Sequence, residues 1–197
     1  FRKVSVEIES SFNIKHHIMP NYGNVWHYHP ELELHYNIAG EGVRFIGDNI
    51  SNFTPGEIIL LGENLPHAWR CNEAYYQNNT DLNIEGIVMQ FLPDCLGKTL
   101  LTLPETYQLL KLYEKAKSGM IIKGKARDKV ADLMRNTAQA EGLDKIILLL
   151  SILKVLAETN EYEPIVNGQG SFYQSNESDT IRLNKVFNYT HSNYKKD

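Results

Sequence analysis

Cysteine is scarce: Cys71 and Cys95 are the only two in 197 residues. That excludes a disulfide scaffold and leaves a packed core as the source of stability. Long apolar runs are also missing, the longest being residues 146–150. This is far short of the ~20 residues that a membrane-spanning helix needs. Basic charge is not in excess either, with 20 Lys and Arg against 24 Asp and Glu and a formal net charge of −4. Nucleic-acid binding draws its strength from cations that neutralise phosphates, so this stretch on its own is a poor binder of DNA. Lys195 and Lys196 read as a solvated tail. No secretory segment opens the chain at Phe1, and the expected compartment is the cytoplasm.

What is present changes character along the chain. Residues 4–91 read as short strands, at 12–19, 31–38, 43–46, 57–61 and 84–91, several with a period near two. Turn chemistry separates them at 20–23, 40–42, 47–49, 55–56 and 62–64. This is the pattern of a β-barrel or sandwich. Beyond Pro93 the spacing becomes helical, first through Tyr107, Leu110 and Tyr113 after Pro104. Residues 126–140 continue it with Val130, Leu133, Met134 and Thr137. Residues 143–158 are the most apolar, with more large side chains than one stripe holds. They can pack on their own barrel or on the same helix of a second copy. The expected homodimer interface consists of Ile146, Leu149, Leu150, Leu153 and Leu156.

Residues 164–178 are rich in Gly, Ser, Asn and Gln and read as a linker. Residues 179–194 regain helical spacing through Ile181, Val186, Phe187 and Thr190, with Asp179 placed as an N-cap. The expected division is a β-barrel over 1–95, a helical dimerisation segment over 96–163, a linker over 164–178 and the start of a further domain over 179–197.

The chemistry concentrates in the stretch 26–36, Trp-His-Tyr-His-Pro-Glu-Leu-Glu-Leu-His-Tyr. If this stretch is extended, His27, His29, Glu33 and His35 share one face and Leu32, Leu34, Tyr36 and Ile38 share the other. Two imidazoles and a carboxylate on one face suit a divalent cation, with His67 as a fourth ligand from a distant strand. The competing reading is a set of barrel histidines that hydrogen-bond one another, a ligand or water.

The spacing of His27, His29, Glu33 and Gly40 resembles the first motif of the cupin superfamily, and Pro55, Gly56 and His67 resemble part of the second. Gly23 is displaced from the usual first-motif glycine, and Cys71 stands where Asn is usual. The order of barrel, helices, polar linker and final helix is similar to that of AraC-type regulators. So are the phrases Phe-Ile-Gly-Asp, Pro-Gly-Glu-Ile-Ile-Leu-Leu-Gly and Asn-Leu-Pro-His-Ala-Trp.

The resemblance implies a cupin-like double-stranded β-helix barrel with no catalytic role. It implies a small effector in the barrel, such as a sugar or related metabolite, and one divalent metal (Zn, Ni, Fe or Mn) at His27, His29, Glu33 and His67. It also implies dimerisation, and DNA contact only through a helix-turn-helix domain beyond Asp197. Trp26, Tyr28, His35, Arg44 and Trp69 are the candidate effector contacts, since aromatic faces and a guanidinium suit a polyhydroxy or carboxylate ligand. The alternative is a metal-dependent cupin enzyme of dioxygenase or sugar-isomerase type, using the same four ligands.

Overall fold

The period-two alternation of residues 32–38 divides the molecule into layers. The computed structural model describes residues 10–23, 25–77 and 81–166, so most of the expected linker and all of the final helix lie outside the described residues. Seven strands come first: β1 (Asn13–Met19), β2 (Leu32–Ala39), β3 (Gly42–Ile46), β4 (Asn49–Phe53), β5 (Glu57–Leu61), β6 (His67–Cys71) and β7 (Ile84–Phe91). Then follow α1 (Tyr107–Ala116), β8 (Met120–Ile122), α2 (Gly124–Gln139), α3 (Gly142–Glu158) and β9 (Tyr162–Pro164). The strands form a six-stranded sheet, β1-β7-β2-β5-β8-β9, and a three-stranded sheet, β4-β3-β6, with every pairing antiparallel.

The expected cupin-like architecture is present as these two facing sheets plus helices. Leu32, Leu34 and Tyr36 of β2, Ile58 and Leu60 of β5, and Ile87, Met89 and Phe91 of β7 turn outward. There they pack with Leu112, Val130, Met134, Leu149, Ile152 and Leu156 of the helices into one apolar cluster. The opposite face of the same strands meets the small sheet. That inner layer has its own apolar floor, including Phe53, Ile59, Leu61 and Ile84. Gly40 ends β2 with φ +112°, and a Cβ there would lie 2.6 Å from the Ile84 side chain. The motif glycine is therefore needed both for its backbone conformation and for close packing.

Three features depart from the sequence expectations. The stretch expected to be wholly helical also supplies β8 and β9, which extend the large sheet from β5. α1 buries Leu109, Leu112, Tyr113 and Ala116, while Tyr107 and Leu110, expected on the buried face, are exposed. α3 divides its leucines. Leu149, Leu153 and Leu156 of the expected interface lie in the chain's own core, Ile146 is half-buried, and Leu150 stays 37% exposed beside the exposed Ile147 and Leu143. Two flanking layers explain the split, because α3 packs against both α1 and α2 and so needs a stripe wider than a single neighbour would demand.

Candidate metal and ligand site

Four side chains from three parts of the chain meet between the sheets. Glu33 comes from β2, His67 opens β6, and His27 and His29 lie on the segment before β2. That segment is not one continuous strand with β2. His27 instead pairs with His67, with backbone hydrogen bonds His27 N–H to His67 O at 3.1 Å and His67 N–H to His27 O at 2.9 Å. The chain then bends through Pro30 and Glu31 before β2 begins. The convergence expected from simple alternation is thus reached by a different route, a two-residue bridge to the small sheet.

One ligand atom from each of His27, His29, Glu33 and His67 lies within 4.8 Å of the other three. Each imidazole is oriented the same way. His27 Nδ1 donates to Val25 O at 2.8 Å, His29 Nδ1 to Glu31 O at 3.1 Å and His67 Nδ1 to Leu65 O at 2.7 Å. A carbonyl accepts only from N–H, so each Nδ1 carries a proton and Nε2 is the nitrogen left to ligate a cation. His29 Nε2 is 3.1 Å and His67 Nε2 3.8 Å from Glu33 Oε2. His67 is 1% exposed, and among the described residues its Nε2 has no hydrogen-bond partner. A buried nitrogen left without a partner is costly unless something accepts its lone pair.

Three such nitrogens and one carboxylate oxygen fit a divalent cation with N and O ligands. The set must contract slightly to bind it, because ligands about 2.0–2.2 Å from one ion lie closer together than its 4.8 Å span.

Electrostatics support the same state of the groups. Burial alone would raise the Glu33 carboxyl, but His67, His29 and His35 outweigh it and hold the group well below the usual carboxylate range. Burial lowers His67 to about 3, with His27 and His29 adding to the effect and Glu33 opposing it. His29 is pulled down by burial but raised overall by its hydrogen bond to Glu33 and by the charges of Glu33 and Glu31. Glu33 is therefore an anion and His67 a neutral base, the forms in which both ligate metals.

A cavity of about 550 Å³ opens beside this cluster, with His27 and Glu33 in its wall. Of the expected effector contacts, His35 and Trp69 line it, with ring centroids 4.4 Å apart. Trp26 and Tyr28 are half-buried and do not line it. Arg44 is also absent from the wall: it is buried in an ion pair with Glu57 and ties β3 to β5.

Gln90 and Tyr22 are among the wall residues that escaped the sequence reading. Gln90 Nε2 donates to Glu33 Oε2 at 2.7 Å, and the Tyr22 hydroxyl lies 3.0 Å from His35 Nε2. Gln90 had a signal, since it is the polar residue between the outward Met89 and Phe91 of β7. Tyr22 had none, sitting in a turn-like stretch that gives no facing.

Solved structures give partial matches. The AraC-like transcriptional activator CuxR matches at 10% identity with a TM-score of 0.45, over 84% of this chain and 53% of its own. This chain thus spans about half the length of CuxR. Wild-type ToxT from Vibrio cholerae, solved with an unsaturated fatty acid, matches at 11% identity with a TM-score of 0.49, over 98% of this chain and 67% of its own. The oxalate decarboxylase OxdC of Bacillus subtilis matches at 19% identity with a TM-score of 0.30, over 50% of this chain and 28% of its own. A search of curated protein sequences finds no match. The match to a family is more local: residues 15–79 fit the AraC-like ligand binding domain, a span that runs from β1 through β6 and contains all four convergent side chains. Over those residues, about a third of the chain, the sequence is similar to the AraC-like ligand binding domains.

Proposed function

We propose that this chain is the effector-sensing and dimerising portion of a cytoplasmic AraC-type transcription regulator. The observation that carries the reading is the cavity between the sheets, whose wall includes His27 and Glu33 of the convergent set and lies mainly within the family segment. A ligand there regulates only if it binds two arrangements of the protein unequally. β2 offers such a connection. Its inner face carries Glu33 and His35, while on its outer face the Tyr36 hydroxyl accepts a hydrogen bond from Arg135 Nη2 of α2 at 2.5 Å.

In this reading His27, His29, Glu33 and His67 hold one divalent cation, drawn from Zn, Ni, Fe and Mn. Such an ion supplies a Lewis-acidic docking point for oxygen ligands. Gln90 orients the Glu33 carboxylate, and Tyr22 fixes the ring of His35. A second copy docks on the exposed part of α3, where Leu143, Ile147 and Leu150 are 70%, 51% and 37% exposed. DNA contact is assigned to a helix-turn-helix part outside the described residues, in keeping with the net charge of −4.

The convergent histidines and carboxylate also favour a second reading, a metal-dependent cupin enzyme. One set of measurements on untagged protein separates the two. The sensor reading expects bound metal by elemental analysis, a concentration-dependent dimer in sedimentation, and small molecules that raise Tm without being consumed. A Leu150→Glu variant should be a folded monomer, because the substitution places like charges together across a two-fold axis. Turnover of a stabilising molecule, or a wild type that remains monomeric at high concentration, would overturn it.

A further inference from the structure

The cavity wall carries little charge apart from the metal-binding set, and that charge has one sign. The odd-numbered residues of β1 face it: Asn13, Lys15, His17 and Met19. Among the described residues Lys15 is the only Lys or Arg in the wall, and Glu33 is the only carboxylate. Glu33 is already engaged, facing His29 at 3.1 Å and accepting from Gln90 at 2.7 Å. Three neutral imidazoles and one carboxylate around a divalent cation leave a net charge of +1. Lys15, exposed on β1 two strands from β2 in the same sheet, adds another positive charge, and among the described residues no acidic group in the wall opposes it.

The remaining wall divides in two. Tyr22, His35 and Gln90 offer polar atoms near the cluster, while Met19, Val25, Trp69 and Val88 offer apolar surface. About 550 Å³ is much more than an inorganic anion fills and falls in the range of cavities that hold small organic ligands.

Resting on the sensor reading above, we propose that the effector is a small organic acid. Its oxygen atoms coordinate the cation at His27, His29, Glu33 and His67, a second anionic group faces Lys15, and its carbon skeleton lies against Trp69 and Met19. Metal and effector then form one composite ligand. The protein without metal keeps the cavity but loses its principal anchor for the acid. A neutral polyol leaves the positive charge of the loaded site and of Lys15 uncompensated and is disfavoured.

The test uses the 197-residue chain loaded with Co²⁺, whose d–d absorption reports changes at the ion directly. Malate and 2-oxoglutarate are titrated against xylitol and glucose, with the absorption spectrum, Tm and dialysis-retained Co²⁺ as readouts. The expected result is that at least one acid perturbs the d–d bands and raises Tm while Co²⁺ stays bound. The neutral compounds should do neither, and the acid effect should vanish in metal-free protein. Lys15→Met should weaken the acid by about three- to tenfold, the range for one partly exposed charge contact, with Co²⁺ affinity unchanged.

Acids that stabilise metal-free protein equally well, or a chain that retains no Co²⁺, would overturn metal docking while leaving the sensor reading intact. Stabilisation by xylitol or glucose alone would overturn the acid and again spare the sensor. If none of the four compounds changes the absorption spectrum or Tm, the acid proposal fails. If a broad metabolite panel also finds no ligand for metal-loaded protein, the sensor reading fails with it.

Discussion

The two faces of the six-stranded sheet are made by the same strands from opposite chemistry. On the outer face β2, β5 and β7 present aliphatic and aromatic side chains that close against three helices, and every large residue there finds an apolar neighbour. On the inner face, one residue out of step, the same strands present Glu33, His35, Asn37, Glu57 and Gln90 beside the apolar Ile59, Leu61 and Ile84. The outer face is satisfied by contact alone, which is non-directional and tolerant of small shifts. The inner face depends in part on directed bonds, and among the described residues His67 Nε2 has no hydrogen-bond partner there. The outer layer therefore offers closed apolar packing, and the inner layer adds polar atoms that face the cavity.

The largest expected effect lies on the outer face. Leu149→Ala removes a fully buried side chain of α3 and should cost about 2–5 kcal/mol, read as a lower urea midpoint with an unchanged slope. A cost below about 1 kcal/mol would mean that α3 is not the internal layer described here.

On the inner face the next effect is conditional. Divalent cation at a hundredfold excess over its Kd should raise stability by about 2.7 kcal/mol, and EDTA should reverse the gain. His67→Asn should abolish the gain and leave the outer layer intact. A metal-induced rise in Tm that survives this substitution would place the ion elsewhere.

Acidity probes the inner face without metal. Folded His67, lowered to about 3, stays neutral where an unfolded histidine of ordinary pKa 6.5 takes up a proton. The unfolded chain then binds more protons, so stability falls as pH drops below 6.5. Glu33, held below its ordinary value, acts in the same sense through the carboxylate range. His29 opposes both, because its contribution is full below 6.5 and is lost as pH rises through its raised value. Between pH 6.5 and 5 the difference between wild type and His67→Asn in urea titrations should narrow by about 1–2 kcal/mol. A pH-independent difference would contradict the neutral, buried state of His67.

The smallest effect is where the faces connect. Arg135, about half exposed, donates to the Tyr36 hydroxyl and lies 5.0 Å over its ring. Arg135→Met should cost about 0.5–1 kcal/mol of stability by thermal melting. If the contact also relays ligand binding, the substitution should change the ligand-induced shift in dimer affinity by more than it changes Tm.

Much of this comparison is legible in the sequence, because β2 writes both faces in alternate letters: Leu32, Leu34, Tyr36 against Glu33, His35. The three helices are legible for the same reason, by period, although Tyr107 and Leu110 mislead about which side of α1 is covered. Periodicity locates a stripe but cannot say which neighbour will lie over it. β8 and β9 are three residues each and too short to show a period, so only the edge of β5 turns them into strands. The four convergent side chains could be named from spacing. Their actual geometry could not, since it depends on the His27–His67 bridge, a pairing between residues forty positions apart in the chain. Arg44 shows the limit from the other side: a guanidinium in a barrel strand suggested a ligand contact, and Glu57, which claims it, gave no sign of doing so.

The pairing of β2 on both edges has a mechanical consequence. β5 holds one side in register from Glu33 to Asn37, and β7 holds the other from Leu32 to Ala39. Sliding β2 by one residue would exchange its faces, driving Glu33 into the helices and Leu34 into the cavity, so axial travel is forbidden. Only displacement normal to the sheet, or twist about the strand axis, remains. Both carry Tyr36 along whenever Glu33 moves, and Arg135 with it. In the proposed sensor the strand would act as a rocker rather than a piston, and the pleat would set the direction in which α2 responds to the cavity.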